Sequence, residues 1–228
     1  MKHLLTLLLL TLSLSLSAQK SFEGTLTFQL SFLNASPEMQ MAQAVMPTGF
    51  LLKLKGENSR LSTVGGIMST MFGDVVTHAS SKKTFFVNDA AKTVSLIGEQ
   101  EQIPAPAVSD FNISEGSDAR TILGYACKHF VVTSKADASI RMEFWTTPEL
   151  SVELARTSNT GLLAQSNMYG LQGLALRSVV DQLGMKMVVE ATAITPETLP
   201  MSLFEMPEGY RVIDSLPNMF DLGGGNDR

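Results

Sequence analysis

The chain has 228 residues, a single Cys and a formal net charge of −5, from 17 Lys plus Arg against 22 Asp plus Glu. No basic stripe runs through it, which argues against nucleic acid or an anionic lipid surface as its partner. One Cys rules out an intramolecular disulfide, so stability rests on the apolar core, and the length suits one generous domain.

Residues 1–20 read MKHLLTLLLLTLSLSLSAQK. Lys2 precedes an apolar run from Leu4 to Leu16, and the small residues Ser15, Ser17 and Ala18 close it. That order is the pattern of a secretory signal peptide, with cleavage expected near Ala18. The run falls short of the roughly 20 apolar residues that span a bilayer. The expected division is a signal peptide at 1–18, one domain at 19–215 and a flexible tail, ending GGGNDR, at 216–228.

From Ser21 to Phe32, Phe22, Leu26, Phe28, Leu30 and Phe32 alternate with polar residues. Period two over that length predicts a half-buried antiparallel strand. Ser36-Pro37-Glu38 reads as a helix start, and Pro47-Thr48-Gly49 as its stop, predicting a short helix to Met46. Strands are expected at Phe50–Lys55, Arg60–Val64, Asp74–Ala79, Lys83–Val87 and Thr93–Ile97, with turn-forming residues between them. Glu99–Asn112 is acidic and Pro-containing and reads as a loop. Arg120–Thr133 reads as one strand, irregular at Gly124, pairing with Ala138–Thr146. Pro148–Leu154 reads as a short helix. Gly173–Val180 and Lys186–Ile194 form a last hairpin, and Pro196–Tyr210 holds one helical turn around Leu203. The sum is a mainly β (α+β) fold of nine or so strands. We expect a strongly curved antiparallel sheet, an open half-barrel, with short helices over one face.

Few residues offer chemistry. Beyond the leader only His78 and His129 remain. His129 shares a strand face with Cys127, but neighbours two apart on one strand cannot aim at each other for proton transfer. The setting YACKHFVV alternates with apolar residues, which favours a buried, inert thiol. No HxxxH, HExxH or CxxC occurs, so no metal site is expected. Met39 with Met41, and Met185 with Met187, are spaced two apart. Paired thioethers suit Cu(I), yet unbranched side chains also pack irregular apolar walls, and packing is the reading adopted. No phosphate-binding glycine loop or GxSxG elbow is present. No cofactor and no enzymatic activity are therefore expected, with a hydrolase as the distant alternative.

Four stretches fall in a telling order. They are KLKGENSRL with Arg60, TILGYACKHF with Gly124, Tyr125, Cys127 and Lys128, MEFWTTPEL with Trp145, and LFEMPEGYRV with Pro207, Gly209 and Tyr210. Together they resemble the exported domain-of-unknown-function family 4412, whose members look like the LolA and LolB lipoprotein carriers of the periplasm. The resemblance implies an incomplete barrel whose concave side is closed by short helices and shelters hydrocarbon. It implies the periplasm or cell envelope of a Gram-negative bacterium. The corresponding function is binding or carriage of a lipid, an acyl chain or a lipoprotein. Candidate wall residues are Phe28, Leu30, Leu52, Leu54, Met185 and Met187. The alternative is a protein-interaction or envelope-sensor module without bound lipid.

Overall fold

The computed structural model describes residues 22–35, 37, 40, 43, 45–67, 69, 73–96, 107–137, 139–150, 165–182 and 185–213. The expected signal peptide and C-terminal tail lie outside these residues, as does most of the helix expected from Ser36 to Met46 and of that at Pro148–Leu154. Among the described residues, thirteen strands build one open, mixed sheet. They are β1 (Glu23–Leu33), β2 (Gly49–Lys55), β3 (Asn58–Val64), β4 (Asp74–His78), β5 (Lys83–Asn88), β6 (Thr93–Leu96), β7 (Phe111–Glu115), β8 (Arg120–Ile122), β9 (Tyr125–Ser134), β10 (Arg141–Thr147), β11 (Leu174–Gln182), β12 (Met185–Pro196) and β13 (Arg211–Ile213). Their spatial order is β13-β6-β5-β4-β3-β2-β1-β12-β11-β10-β9-β7, with β8 also on β9.

Strand β1 behaves as its alternation dictates. Leu26, Phe28 and Leu30 are buried, while Gln29 and Ser31 face solvent. It sits mid-sheet, antiparallel to β2 on one side and to β12 on the other. Register shifts interrupt β1–β12 at Thr27/Phe28 and β10–β11 at Trp145/Thr146. Such bulges bend a strand and increase its twist.

Three expectations need correction. Arg120–Thr133 is not one irregular strand but two, β8 and β9, folded on each other with Ile122 opposite Tyr125. Leu123 and Gly124 between them both have positive φ, 50° and 87°, the backbone of a two-residue turn that matches strand twist. The stretch read as loop up to Asn112 ends in β7, which pairs with β9. The sheet is also mixed rather than antiparallel throughout, because β13 runs parallel to β6. Short segments such as Arg211–Ile213 carry too few residues to show a period.

Described helix is sparse: a single turn, α1 (Gln165–Met168), and 3-10 turns at Val108–Asp110 and Met201–Phe204. The last matches the helical turn expected around Leu203. Its Phe204, with Leu199, packs on Val76, Phe85, Val87 and Val94 of β4–β6. Tyr169 and Leu171, just after α1, pack on Val132, Met142 and Phe144 of β9 and β10.

The β8–β9 turn gives a direct test. A Cβ at Gly124 would touch nothing within 4 Å, so the cost of Gly124→Ala is purely that of left-handed backbone. It should lower stability by about 1–2 kcal/mol in urea denaturation, and Gly124→Asn should cost less. Equal stability of Gly124→Ala and the parent protein would rule out this turn.

Candidate functional site

The apolar wall anticipated from the sequence is assembled by register. Leu26 lies opposite Leu52, and Phe28 opposite Phe50, across β1–β2. Phe28 faces Ala191, Leu30 faces Val189, and Phe32 faces Met187 across β1–β12. Leu52 and Leu54 are wholly buried, Phe28 is 2% exposed and Leu30 9%. Met187 is partly buried against the same cluster, as are Phe22, Phe32 and Phe50. Met185 opens β12 opposite Gln182; its side chain lies outside the described residues. At the end of the sheet where β1 and β3 finish, apolar side chains reach solvent. Leu33, Val45, Val64 and Ile67 are all exposed there, Ile67 to 63%.

The motif residues form two further clusters. Arg60 projects from β3, where its Nε donates to Asp74 at 2.6 Å and another guanidinium nitrogen to Asp89 at 3.1 Å. Its third contact is the Leu203 carbonyl. Asp89 also accepts from the Tyr210 hydroxyl at 2.6 Å, and Lys92 donates to that hydroxyl at 2.8 Å. That hydrogen bond holds the Lys92 ammonium above its ordinary pKa. Arg60 and Tyr210, distant in sequence, thus meet through one carboxylate. Pro207 and Gly209 lie in the chain reversal that returns Tyr210 to it. Beside this latch, Lys55 donates to both Glu23 and the Leu199 carbonyl, while Glu23 accepts the Leu199 N–H at 2.8 Å. Both sets of bonds fasten the segment carrying Phe204 to the sheet.

The second cluster is a row across β9–β12. His129 lies opposite Trp145, Trp145 opposite Arg177, and Arg177 opposite Glu190. The imidazole stacks on the indole at 4.4 Å, nearly parallel. The guanidinium groups of Arg120 and Arg177 lie 4.8 Å and 5.4 Å from the same ring centre, a cation–π arrangement. The Trp145 N–H donates to the Asp118 carbonyl at 2.7 Å. Arg177 pairs with Glu190. Arg120 hydrogen-bonds to Asp118 and thereby holds that carboxyl below its ordinary range. His129 Nε2 lies 2.8 Å from Glu143. Its Nδ1 is buried without a hydrogen-bond partner. Gly116 lies against it: a Cβ there would sit 2.1 Å from Nδ1. The sequence reading missed Glu143, Arg177 and Gly116. Only cross-strand register brings them together, and no local spacing reports it.

Cys127 is buried, and its thiol donates to the Tyr125 carbonyl at 3.5 Å. Burial pushes its pKa above the ordinary 9.0, opposed by a backbone hydrogen bond at Ile122. Tyr125 itself is partly buried against the core. His78 bonds to Ser81 across its turn. Among the described residues, no group of three or more His, Cys, Asp or Glu is placed to hold a metal ion.

Lys128, the neighbour of Cys127, points elsewhere. Two clefts meet at it and at Pro148. One, of about 380 Å³, lies between the β8–β9 hairpin and Glu149. The other, of about 320 Å³, is floored by Phe130 and Thr146 and rimmed by Gly170, Leu171 and Gln172.

The family model described as a domain of unknown function (DUF4412) matches residues 22–210. The chain belongs to this family. No curated protein matches it. A solved structure of PNGF-II has 18% identity and a TM-score of 0.50, over 86% of this chain and 32% of the PNGF-II chain. The likeness is one of fold, and this chain spans about a third of that protein. The Pseudomonas aeruginosa MucA/MucB complex matches at 12% identity and TM-score 0.49, over 86% of this chain and 59% of that one. A LolA superfamily protein from Nitrosomonas europaea matches at 8% identity and TM-score 0.34, over 82% and 91%. Among the described residues, no helix is long and apolar enough to cross a membrane.

Two tests follow from this geometry. Gly116→Ala should force His129 off its stack and cost roughly 1–3 kcal/mol, the usual penalty of overpacking. Adding Gly116→Ala to His129→Ala should cost almost nothing more, a non-additivity that denaturant curves of the four proteins would read. Additive losses would mean that the two residues do not touch. The second test concerns pH. Burial raises the pKa of both the Cys127 thiol and the Tyr169 phenol. Their contribution to stability is complete below the ordinary thiol value of 9.0 and is lost as pH rises through the raised folded values. Urea midpoints should fall progressively above that pH, and Cys127→Ala should remove the first part of the fall. Midpoints flat across the alkaline range would contradict it.

Proposed function

We propose that this chain is an exported binding or carrier module for a hydrophobic ligand, a lipid or the acyl chain of a lipoprotein, held against the β1–β2–β12 wall. The observation that carries the reading is the run of apolar surface out of that wall to solvent. Buried Phe28, Leu30, Leu52 and Leu54 give way to half-buried Phe32, Phe50 and Met187 toward the end of the sheet where Val45 and Ile67 are exposed; Leu33 and Val64, exposed at the same end, lie on the other sheet face. Exposed apolar residues gathered at one end of a wall mark a place where hydrocarbon can leave water. Met187 supplies an adaptable thioether at that end. The leader at 1–18 directs export to the periplasm or envelope, the setting implied by the resemblance to lipoprotein carriers. The domain at 19–215 is the binding unit, and binding needs no cofactor and no catalytic step.

A second reading has its own support. Leu26, Leu52 and Leu54 expose no surface at all, which suits a filled core and a protein-interaction or sensor module whose exposed rim seats a partner. Uptake separates the two. Protein recovered from the periplasm should lack residues 1–18 by intact mass and, once delipidated, take up a fluorescent fatty acid saturably. Each methylene buried contributes ~0.8 kcal/mol in the ideal case, less the cost of ordering the chain. Phe32→Asp, at a half-buried position, should weaken uptake at least tenfold with the far-UV CD spectrum unchanged; Leu30→Asp repeats the test deeper in the wall. No uptake by the parent protein at any soluble concentration would leave the interaction-module reading in place.

A further inference from the structure

The charged side chains among the motif positions divide sharply. Arg60 is fully engaged with Asp74, Asp89 and the Leu203 carbonyl. Lys128 makes no hydrogen bond or ion pair among the described residues, yet it lines both clefts at the β8–β10 end of the sheet. The charged residues that share the larger cleft with it, Glu149 and Arg120, hydrogen-bond elsewhere. Glu149, across the larger cleft, directs a carboxylate oxygen to the Ala126 N–H at 3.2 Å. Arg120, in the same cleft, is held by Asp118. Among the described residues lining the smaller cleft, Lys128 is the one charged side chain, set against Phe130, Leu171 and Pro148. Thr146, directly opposite Lys128 in register, is almost wholly buried in its floor. A volume of about 320 Å³ is at the small end of ligand sites.

We propose that this cleft is a second ligand site, distinct from the β1–β2–β12 wall, that takes a small monocarboxylate with an apolar body, such as a medium-chain fatty acid. The carboxylate pairs with the Lys128 ammonium, and the chain lies on Phe130 and Leu171. A single unpaired cation beside apolar walls suits a ligand with one negative charge and an apolar body. The site stands on β9 and β10, two strands removed from β12 in the sheet order, and does not depend on the wall being open.

The test uses the full mature chain, nitrogen-15 labelled, titrated with sodium octanoate and separately with octanol, which has the same tail and no charge. Octanoate should shift the amides of Lys128, Thr146 and Gly170 saturably, and octanol should not. Lys128→Gln should weaken octanoate roughly tenfold through loss of the charged hydrogen bond, and Lys128→Arg should retain binding. The site is refuted if octanoate binds Lys128→Gln as tightly as the parent. It is equally refuted if octanol matches octanoate, if shifts fall on β1, β2 and β12 alone, or if no shift occurs at any soluble concentration. Shifts confined to β1, β2 and β12 would leave the wall reading standing, so the two can fail separately.

Discussion

Everything in this molecule hangs on the pairing of β1 with β12. One strand opens the described chain and the other nearly closes it, so Gly24 meets Pro196 and Leu33 meets Lys186. Bringing such distant segments together carries a loop-closure cost, but that cost grows only with the logarithm of loop length. The apolar face along the seam repays it: Leu26, Phe28 and Leu30 bury against Leu52 on one side and Val189 and Ala191 on the other. With the seam formed, the chain falls into two meanders, β2 to β6 on one side and β12 back to β7 on the other. Neighbouring strands in each are antiparallel, and β1 joins them.

Each meander then meets the same problem: one sheet face carries apolar residues that something must cover. The β4–β6 end is covered by the chain after β12. Its 3-10 turn brings Phe204 onto Val76 and Val87, and the Arg60–Asp89–Tyr210 and Lys55–Glu23 contacts fix its position. The partly buried ion pairs act less as a source of stability than as a set of directional constraints, because desolvation offsets much of their attraction. At the β9–β11 end, Tyr169 and Leu171 cover Phe144 and Val132. On the opposite face of those strands, Trp145 joins the apolar cluster that includes Ile122, Cys127 and Leu150, and His129 and Arg177 flank its ring by stacking and cation–π contact. That row keeps a large aromatic ring 3% exposed.

This division of labour explains which motif residues remain free for binding. Arg60, Gly124, Trp145, Gly209 and Tyr210 are spent on turns, latches and stacking, and Cys127 on packing. Lys128 is spent on nothing within the described residues. A side chain that the fold does not need is the natural place to look for recognition, and here it coincides with two clefts.

The sequence by itself determined the strands that alternate. The apolar face of β1 and the buried Cys127 were legible because period two is a local property of the chain. Family membership was legible from the order of short motifs. Three kinds of feature were not. The β8–β9 turn looked like an irregular strand, because Leu123 adopts positive φ only where its flanking strands demand it. The strands β7 and β13 were too short to show a period. The partners of Trp145, Arg60 and Lys128 were hidden altogether, since Arg177, Asp89 and Leu171 come from elsewhere in the chain. Alternation fixes which face of a strand is apolar; only tertiary pairing decides which strand lies beside it, and so which polar groups share a row and which are left unpaired.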